Sequence, residues 1–260
     1  WAGTRQTQGN EIKVNGAEAQ TSWSYNVYDS MSGWQNYSGH DSSDQSWMWR
    51  RYRGGFDMIT YTGDGSGSVR AISHNLGAAP DMMWFKCRNA GGTEWKVYHR
   101  DLGPSTIPRL NNALAAETSQ TIFNNTDPSE TQFFVKGGST NASSETYMAM
   151  MFGSVSGISK VGSYTGTGSA LSVTTGFQPR FLMIKNISTG TGDSHWWVVD
   201  TTRGWGSGDD NCLRLDVSNA AITGMNLGAP TSTGFDMPAN LGNSTAYNKS
   251  GDTYIYYTHA

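Results

Sequence analysis

Pro80-Asp81-Met82-Met83-Trp84-Phe85-Lys86 recurs about one hundred residues later as Pro179-Arg180-Phe181-Leu182-Met183-Ile184-Lys185. In the first stretch Met83, Phe85 and Cys87 alternate with Met82, Trp84 and Lys86. A period of two sets the first group on one face of a strand and the second on the other. Other segments repeat in the same order. Tyr61-Thr62-Gly63-Asp64-Gly65 matches Tyr164-Thr165-Gly166-Thr167-Gly168, and Trp95-Lys96-Val97-Tyr98 matches Trp196-Trp197-Val198-Val199. Arg109-Leu110 matches Arg214-Leu215, Phe134 matches Phe235, and Glu145-Thr146-Tyr147-Met148 matches Asp252-Thr253-Tyr254-Ile255. Collinear matches of this kind define an internal repeat. Residues 55–153 and 158–260 therefore read as two copies of one module.

Within a copy the segments 95–99, 131–136 and 147–152 are short, rich in aromatics, Val and Met, and bounded by Gly, Asn, Ser or Asp. Such spacing indicates strands of a sandwich or barrel. Glycine-rich turns such as Thr62-Gly63-Asp64-Gly65 supply positive φ cheaply. One window, residues 112–119 with its counterpart 216–221, has helical propensity and is expected as a short helix or turn. The fold expected is all-β: two tandem, homologous small antiparallel β-sandwich modules behind an aromatic-rich N-terminal segment, residues 1–54. Val27-Tyr28-Asp29-Ser30-Met31-Ser32-Gly33-Trp34 looks like Val198-Val199-Asp200-Thr201-Thr202-Arg203-Gly204-Trp205. The segment reads either as the tail of a degenerate earlier copy or as a strand and loop packed on the first module.

Composition narrows the function. Of 260 residues only 15% are charged, 12% are aromatic and 32 are glycine, with a net charge of −3. That balance carries no electrostatic footprint for nucleic acid or an anionic membrane. No apolar run approaches the ~20 residues of a bilayer span. The start at Trp1, with neither an initiator Met nor a signal peptide, reads as a chain excised from something longer. Cys87 and Cys212 are too few for a disulfide framework or a multi-Cys zinc site and are expected as small buried hydrophobes.

The motifs of catalysis are missing. There is no Gly-x-Ser-x-Gly, no His-Glu-x-x-His and no phosphate loop. His40, His74, His99, His195 and His259 stand apart, and the copies place Asp200 opposite His99 and Thr175 opposite His74. Glu145 and Asp252 recur across the repeat, but an acidic residue there is explained equally by a turn. No catalytic residue, cofactor or enzymatic activity is assigned. Asp209, Asp210 and Asn211 offer oxygen ligands for calcium, a weak candidate because the first copy has no counterpart.

Aromatics carry the binding candidates. Ten tryptophans exceed what two small cores need. A ring can stack on a sugar's apolar face, and loops are where binding usually resides. Trp34 and Trp205 follow glycines in expected loops, and Trp47, Trp49 and Trp197 can project from strands. These five are candidates for contact with a glycan or a subunit. Trp84, Trp95 and Trp196 sit in matched strands and are assigned to a core or module interface.

Trp47-Met48-Trp49-Arg50-Arg51-Tyr52-Arg53-Gly54-Gly55-Phe56-Asp57, followed by Tyr61-Thr62-Gly63-Asp64-Gly65, resembles repeat modules in tail-fibre-like virion proteins of marine tailed phages. His74-Asn75-Leu76-Gly77-Ala78-Ala79-Pro80-Asp81, Trp95-Lys96-Val97-Tyr98-His99, Leu110-Asn111 and Asn141-Ala142-Ser143-Ser144-Glu145-Thr146-Tyr147 belong to the same pattern. In the second module the segment before Pro179 shrinks to Thr175-Gly176-Phe177-Gln178, so that loop has diverged. The resemblance covers about residues 47–260 and consists of scaffold motifs. It implies a virion appendage located outside the cell, with other virion proteins and host surface glycans as partners. By analogy it also implies a homo-oligomer, a trimer. A glycan-degrading tail-spike enzyme and a bacterial adhesin or filament subunit are the alternatives.

Overall fold

A computed structural model describes residues 2–7, 9–22, 27–30, 33–35 and 46–260, with the backbone alone at Arg5 and across 27–35. The chain is all-β and antiparallel. The N-terminal part carries β1 (Ala2–Gly3), β2 (Asn10–Ile12), β3 (Thr21–Ser22), β4 (Val27–Ser30) and β5 (Gly33–Gln35). Then follow β6 (Phe56–Thr62), β7 (Arg70–Ser73), β8 (Met82–Cys87), β9 (Lys96–His99), β10 (Gln132–Val135) and β11 (Thr146–Phe152). The remaining strands are β12 (Ser159–Thr165), β13 (Leu171–Thr174), β14 (Phe181–Asn186), β15 (Trp196–Asp200), β16 (Asp210–Arg214), β17 (Ile222–Met225), β18 (Ala229–Thr231), β19 (Gly234–Met237) and β20 (Thr253–His259).

One strand order occurs twice. The first large sheet runs β6-β11-β8-β9, and the second runs β12-β20-β14-β15 and continues through β16 and β17. Each has a small companion sheet, β10-β7 for the first and β13-β19-β18 for the second. The alternation in β8 explains the layering. Met83 and Phe85 pack with Ile72, Phe133 and Val135 of the companion sheet. In the second half Leu182 and Ile184 pack with Phe235 and Met237 in the same way. The opposite faces turn inward together: Met82, Trp84, Met150 and Phe152 share one core with Phe181, Met183, Ile255 and Tyr257. Every residue of β8 and of β14 is consequently buried. The two-sandwich reading did not contain this central core, which joins the two large sheets face to face.

Paired details anchor both halves. Tyr61 stacks on Tyr147 with centroids 5.2 Å apart, and Tyr164 on Tyr254 at 4.9 Å. Gly63 and Gly166 occupy the same turn, where a Cβ would lie 2.0 Å from the Ala142 carbonyl oxygen and 2.1 Å from that of Lys249. Only glycine permits that approach.

The expected helix at 112–119 does not form. Residues 108–116 instead make the loop of a hairpin closed by the bridge Ile107↔Glu117, and the Ala116 N–H is spent on the Ile187 carbonyl at 3.1 Å. A marginal helix loses to a tertiary bond of this kind. The counterpart 216–221 is likewise not helical: after a turn at Leu215 and Asp216 it runs as irregular chain to β17. The same hairpin occurs three times with one separation: Glu11↔Thr21, Ile107↔Glu117 and Cys212↔Ile222.

Candidate functional site

The candidate tryptophans are placed mostly inside. Trp197 is buried, donates its indole N–H to the Asp193 carbonyl at 2.7 Å and lies under the Arg214 guanidinium at 5.7 Å. Trp205 is buried against Phe235 at 6.4 Å. Both belong to the outer core of the second half, which leaves neither a free ring face for a sugar. The loop glycine before Trp205 turns the ring inward rather than outward: Gly204 at φ 98° ends a short turn capped by the Asp200 carboxylate.

Trp47 and Trp49 are half-buried between the two large sheets. Trp49 meets Phe56, Trp84, Phe152, Phe181 and Tyr257 with centroids 5.7–6.5 Å apart. Trp47 donates to Asp200 at 3.3 Å, stands edge-on to Phe181 and lies under Arg203 at 5.3 Å. These rings seal the central core. Trp34 falls in β5, where only the backbone is described, so that candidate lies outside the described residues.

The candidate calcium loop is spent on its own backbone. Asp210 is buried; its carboxylate accepts the N–H of Gly206 at 3.1 Å and of Leu227 at 2.7 Å, and burial raises its pKa. Asn211 donates to the Arg203 carbonyl at 2.7 Å. Among the described residues no group of three or more His, Cys, Asp or Glu is placed to hold a metal.

The recurrent acids are staples. Glu145 accepts from Tyr147 at 2.8 Å and from Cys87 at 3.3 Å, and Asp252 accepts from Asn186 at 2.8 Å. His74 receives the Leu76 N–H on Nδ1 at 3.3 Å, so its Nε2 carries the proton toward the Ser129 carbonyl at 3.2 Å. Burial lowers its pKa, as a neutral ring with both nitrogens used requires. His99 is fully buried, and burial holds its pKa down at about 4.

What the sequence reading missed is the way the hairpins dock. Trp95 donates its indole N–H to the Lys13 carbonyl at 2.8 Å, and Trp196 donates its own to the Arg109 carbonyl at 2.7 Å. Gln20 N–H bonds the Arg88 carbonyl at 2.6 Å just as Ala116 N–H bonds that of Ile187 at 3.1 Å. A buried lysine stands beside each contact. Lys86 donates to the Ala17 carbonyl at 3.1 Å and to Thr93, while Lys185 donates to the Ser194 carbonyl at 2.6 Å. Burial lowers both to about 8. The N-terminal hairpin thus sits on the first large sheet as residues 108–116 sit on the second. The tripeptides Lys13-Val14-Asn15, Arg109-Leu110-Asn111 and Arg214-Leu215-Asp216 mark the three hairpins, a signal too short to stand out alone.

Two clefts open on this frame. One of about 510 Å³ is lined by Arg51, Tyr52, Arg53, His74, Asn75 and Glu130. Arg51 is held by the buried Asp57 at 2.7 Å, whereas Arg53 has no ion pair among the described residues. The other, about 340 Å³, lies at the first joint between Ala17, Thr93 and Lys96.

Among the described residues no helix is long and apolar enough to cross a membrane. No curated protein and no solved structure matches the chain. Residues 3–260 match a family described as a domain of unknown function (DUF7483), and the chain belongs to that family.

Proposed function

We propose that this member of the DUF7483 family is an architectural and recognition element of a phage virion appendage of the tail-fibre kind, outside the cell, and not a catalyst. One observation carries the reading: a hairpin seats on a large sheet twice, through the same indole-to-carbonyl bond, at Trp95 with Lys13 and at Trp196 with Arg109. A joint used twice within one chain is the chemistry of assembly from like parts. The resemblance of residues 47–260 to tail-fibre-like repeat modules supplies the virion setting, the partnership with other virion proteins and the trimer. Contact with a host glycan passes from the buried tryptophans to the cleft of Arg51, Tyr52 and Arg53, where the unpaired Arg53 can meet hydroxyl or carboxylate oxygens.

Antibody labelling of intact particles under the electron microscope tests the setting. Label confined to an appendage supports it, and label absent from every particle overturns it. A bacterial glycan array probed with the protein and with Arg53→Ala tests the cleft. Binding that the variant loses supports the assignment, and equal binding by both proteins removes it. Release of reducing ends from host polysaccharide would replace the architectural reading with an enzymatic one.

A further inference from the structure

Of the three equivalent hairpins, two are seated. Glu11↔Thr21 lies on the first large sheet and Ile107↔Glu117 on the second, whereas Cys212↔Ile222 has no sheet across from it among the described residues. We propose that this third hairpin, residues 213–221, is a docking ridge for a second copy of this chain, which receives it on its first large sheet in place of its own N-terminal hairpin. The inference rests on the assembly reading above and names the partner.

The backbone is already set for the contact. Arg214 stands opposite Trp197, and the Leu215 N–H bonds the Trp196 carbonyl at 3.0 Å. In antiparallel pairing that bond makes Arg214 and Trp197 a non-hydrogen-bonded pair, so the N–H and C=O of Arg214 point away from β15. Arg109 has the same relation to Lys96, with Val97 N–H on the Pro108 carbonyl at 3.0 Å and Leu110 N–H on that of Trp95 at 3.3 Å. Its outward carbonyl is the one the Trp196 indole takes. The Arg214 carbonyl is therefore placed for a further indole. Ala221 holds the position of Ala116 and Gln20, the two N–H groups that bond the receiving sheet.

Burial agrees with an open face. Pro108, Arg109 and Leu110 are buried, while their counterparts Leu213, Arg214 and Leu215 are half-exposed and residues 218–221 are exposed; Cys212, like its counterpart Ile107, is buried within its own half. The receiving surface is the one that can be vacated. Within β1–β3 and the turn between β1 and β2, only Thr7, Glu11 and Ile12 are buried. That hairpin makes a smaller claim on its sheet than residues 108–110 make on theirs. Exchange of one hairpin for an equivalent one is a low-cost route to association.

Removal of residues 1–22 tests the proposal, because the shortened chain then carries both a free ridge and a free receiving sheet. In sedimentation equilibrium it is expected to self-associate at least tenfold more tightly than the intact chain. Ala221→Pro, which lacks the N–H, is expected to abolish the gain, and a peptide of residues 9–22 to dissolve the oligomers. A shortened chain that binds the peptide yet stays monomeric overturns the proposal. Should the shortened chain not fold, Ile12→Ala in the intact chain loosens the same hairpin. Faster amide exchange at Gln20 with new association supports the exchange of hairpins, and faster exchange with an unchanged monomer overturns it. Association of the shortened chain together with unlabelled particles would keep this inference and remove the virion setting; labelled appendages with a monomeric shortened chain would do the reverse.

Discussion

At the first joint the carbonyl that meets the indole belongs to Lys13, whose side chain is 43% exposed and pairs with Glu18 at 3.3 Å. At the second it belongs to Arg109, whose side chain is 9% exposed and is held between Glu94 at 3.2 Å and Glu117. The backbone geometry is shared and the side-chain surroundings are not. The difference teaches that a joint's bonding pattern and its permanence are set separately. Backbone and indole fix where the hairpin sits, and the ion pairs of the buried Arg109 and the apolar flank fix how hard it is to remove.

The largest test of that contrast is a cavity at each joint. Trp196→Ala removes a fully buried ring beneath a hairpin locked on both sides, and should cost ~3–5 kcal/mol in urea unfolding. Trp95→Ala should cost at least ~1 kcal/mol less, because a cavity's cost falls when its wall can collapse and the N-terminal hairpin can do so. Equal costs would mean that the two hairpins are held alike.

Next in size is a pH effect centred on His99 of the first half, added to smaller ones of the same sign at His74 and His259, whose pKa values burial also lowers. His99 in β9 and Asp200 in β15 occupy matching registers, opposite Met82 and Phe181. Burial sets the folded His99 pKa at about 4, below its usual 6.5. As pH falls, the unfolded chain takes up the proton first, so stability is complete above about pH 6.5 and is lost toward pH 4. At ~1.4 kcal/mol per pKa unit the loss is roughly 3 kcal/mol. Thermal melts across that window should show the loss, and His99→Asn should flatten it. An unchanged slope would sink the assignment.

Lys86 and Lys185 sharpen the comparison further. The first ammonium reaches three oxygens, of Ala17 and Thr93, while the second reaches one. Lys86→Met should destabilise by ~2 kcal/mol through the stranded acceptors, and Lys185→Met by under ~1 kcal/mol. Because burial depresses both folded pKa values to about 8, stability should rise as pH climbs above 8 toward the unfolded value near 10.5. Each Met variant should lose its share of that rise in melts up to pH 9.5. The smallest expected change is at Asp209, which has no counterpart in the first half. Asp209→Ala should shift stability by less than ~0.5 kcal/mol, equally with calcium or with a chelator. A calcium-dependent shift would restore the loop as a metal site.

The strands were legible because their residues alternate, and the alternation of β8 fell on the right positions. That both alternating sets are apolar is itself the mark of a strand buried on two faces, and it points to a further layer. The ten tryptophans gave the same hint through their excess over two cores. Assigning the surplus rings to a binding surface failed at Trp197 and Trp205, because a glycine before a tryptophan fixes a turn and not the direction of the ring. The side-chain pattern points to residues 27–34 for a recurrence in the N-terminal part. The docked equivalence lies at 12–20, where the chain keeps only a basic residue, an aliphatic one and Asn15 in common with residues 109–111. A joint made of carbonyls and amide N–H groups leaves little trace in side chains.

Phe152 ends the first large sheet and meets Tyr257 of the second at 5.0 Å, with Trp49 wedged against both. The connection between them is pinned as well, through Gly153 N–H on the Gly55 carbonyl at 2.8 Å and the bridge Val155↔Ser159. A bend at this point would have to open an aromatic wedge to water, so the two halves have no swivel. Units built in this way would transmit a twist or a pull along their length as a stiff rod does, without the slack of beads on a string.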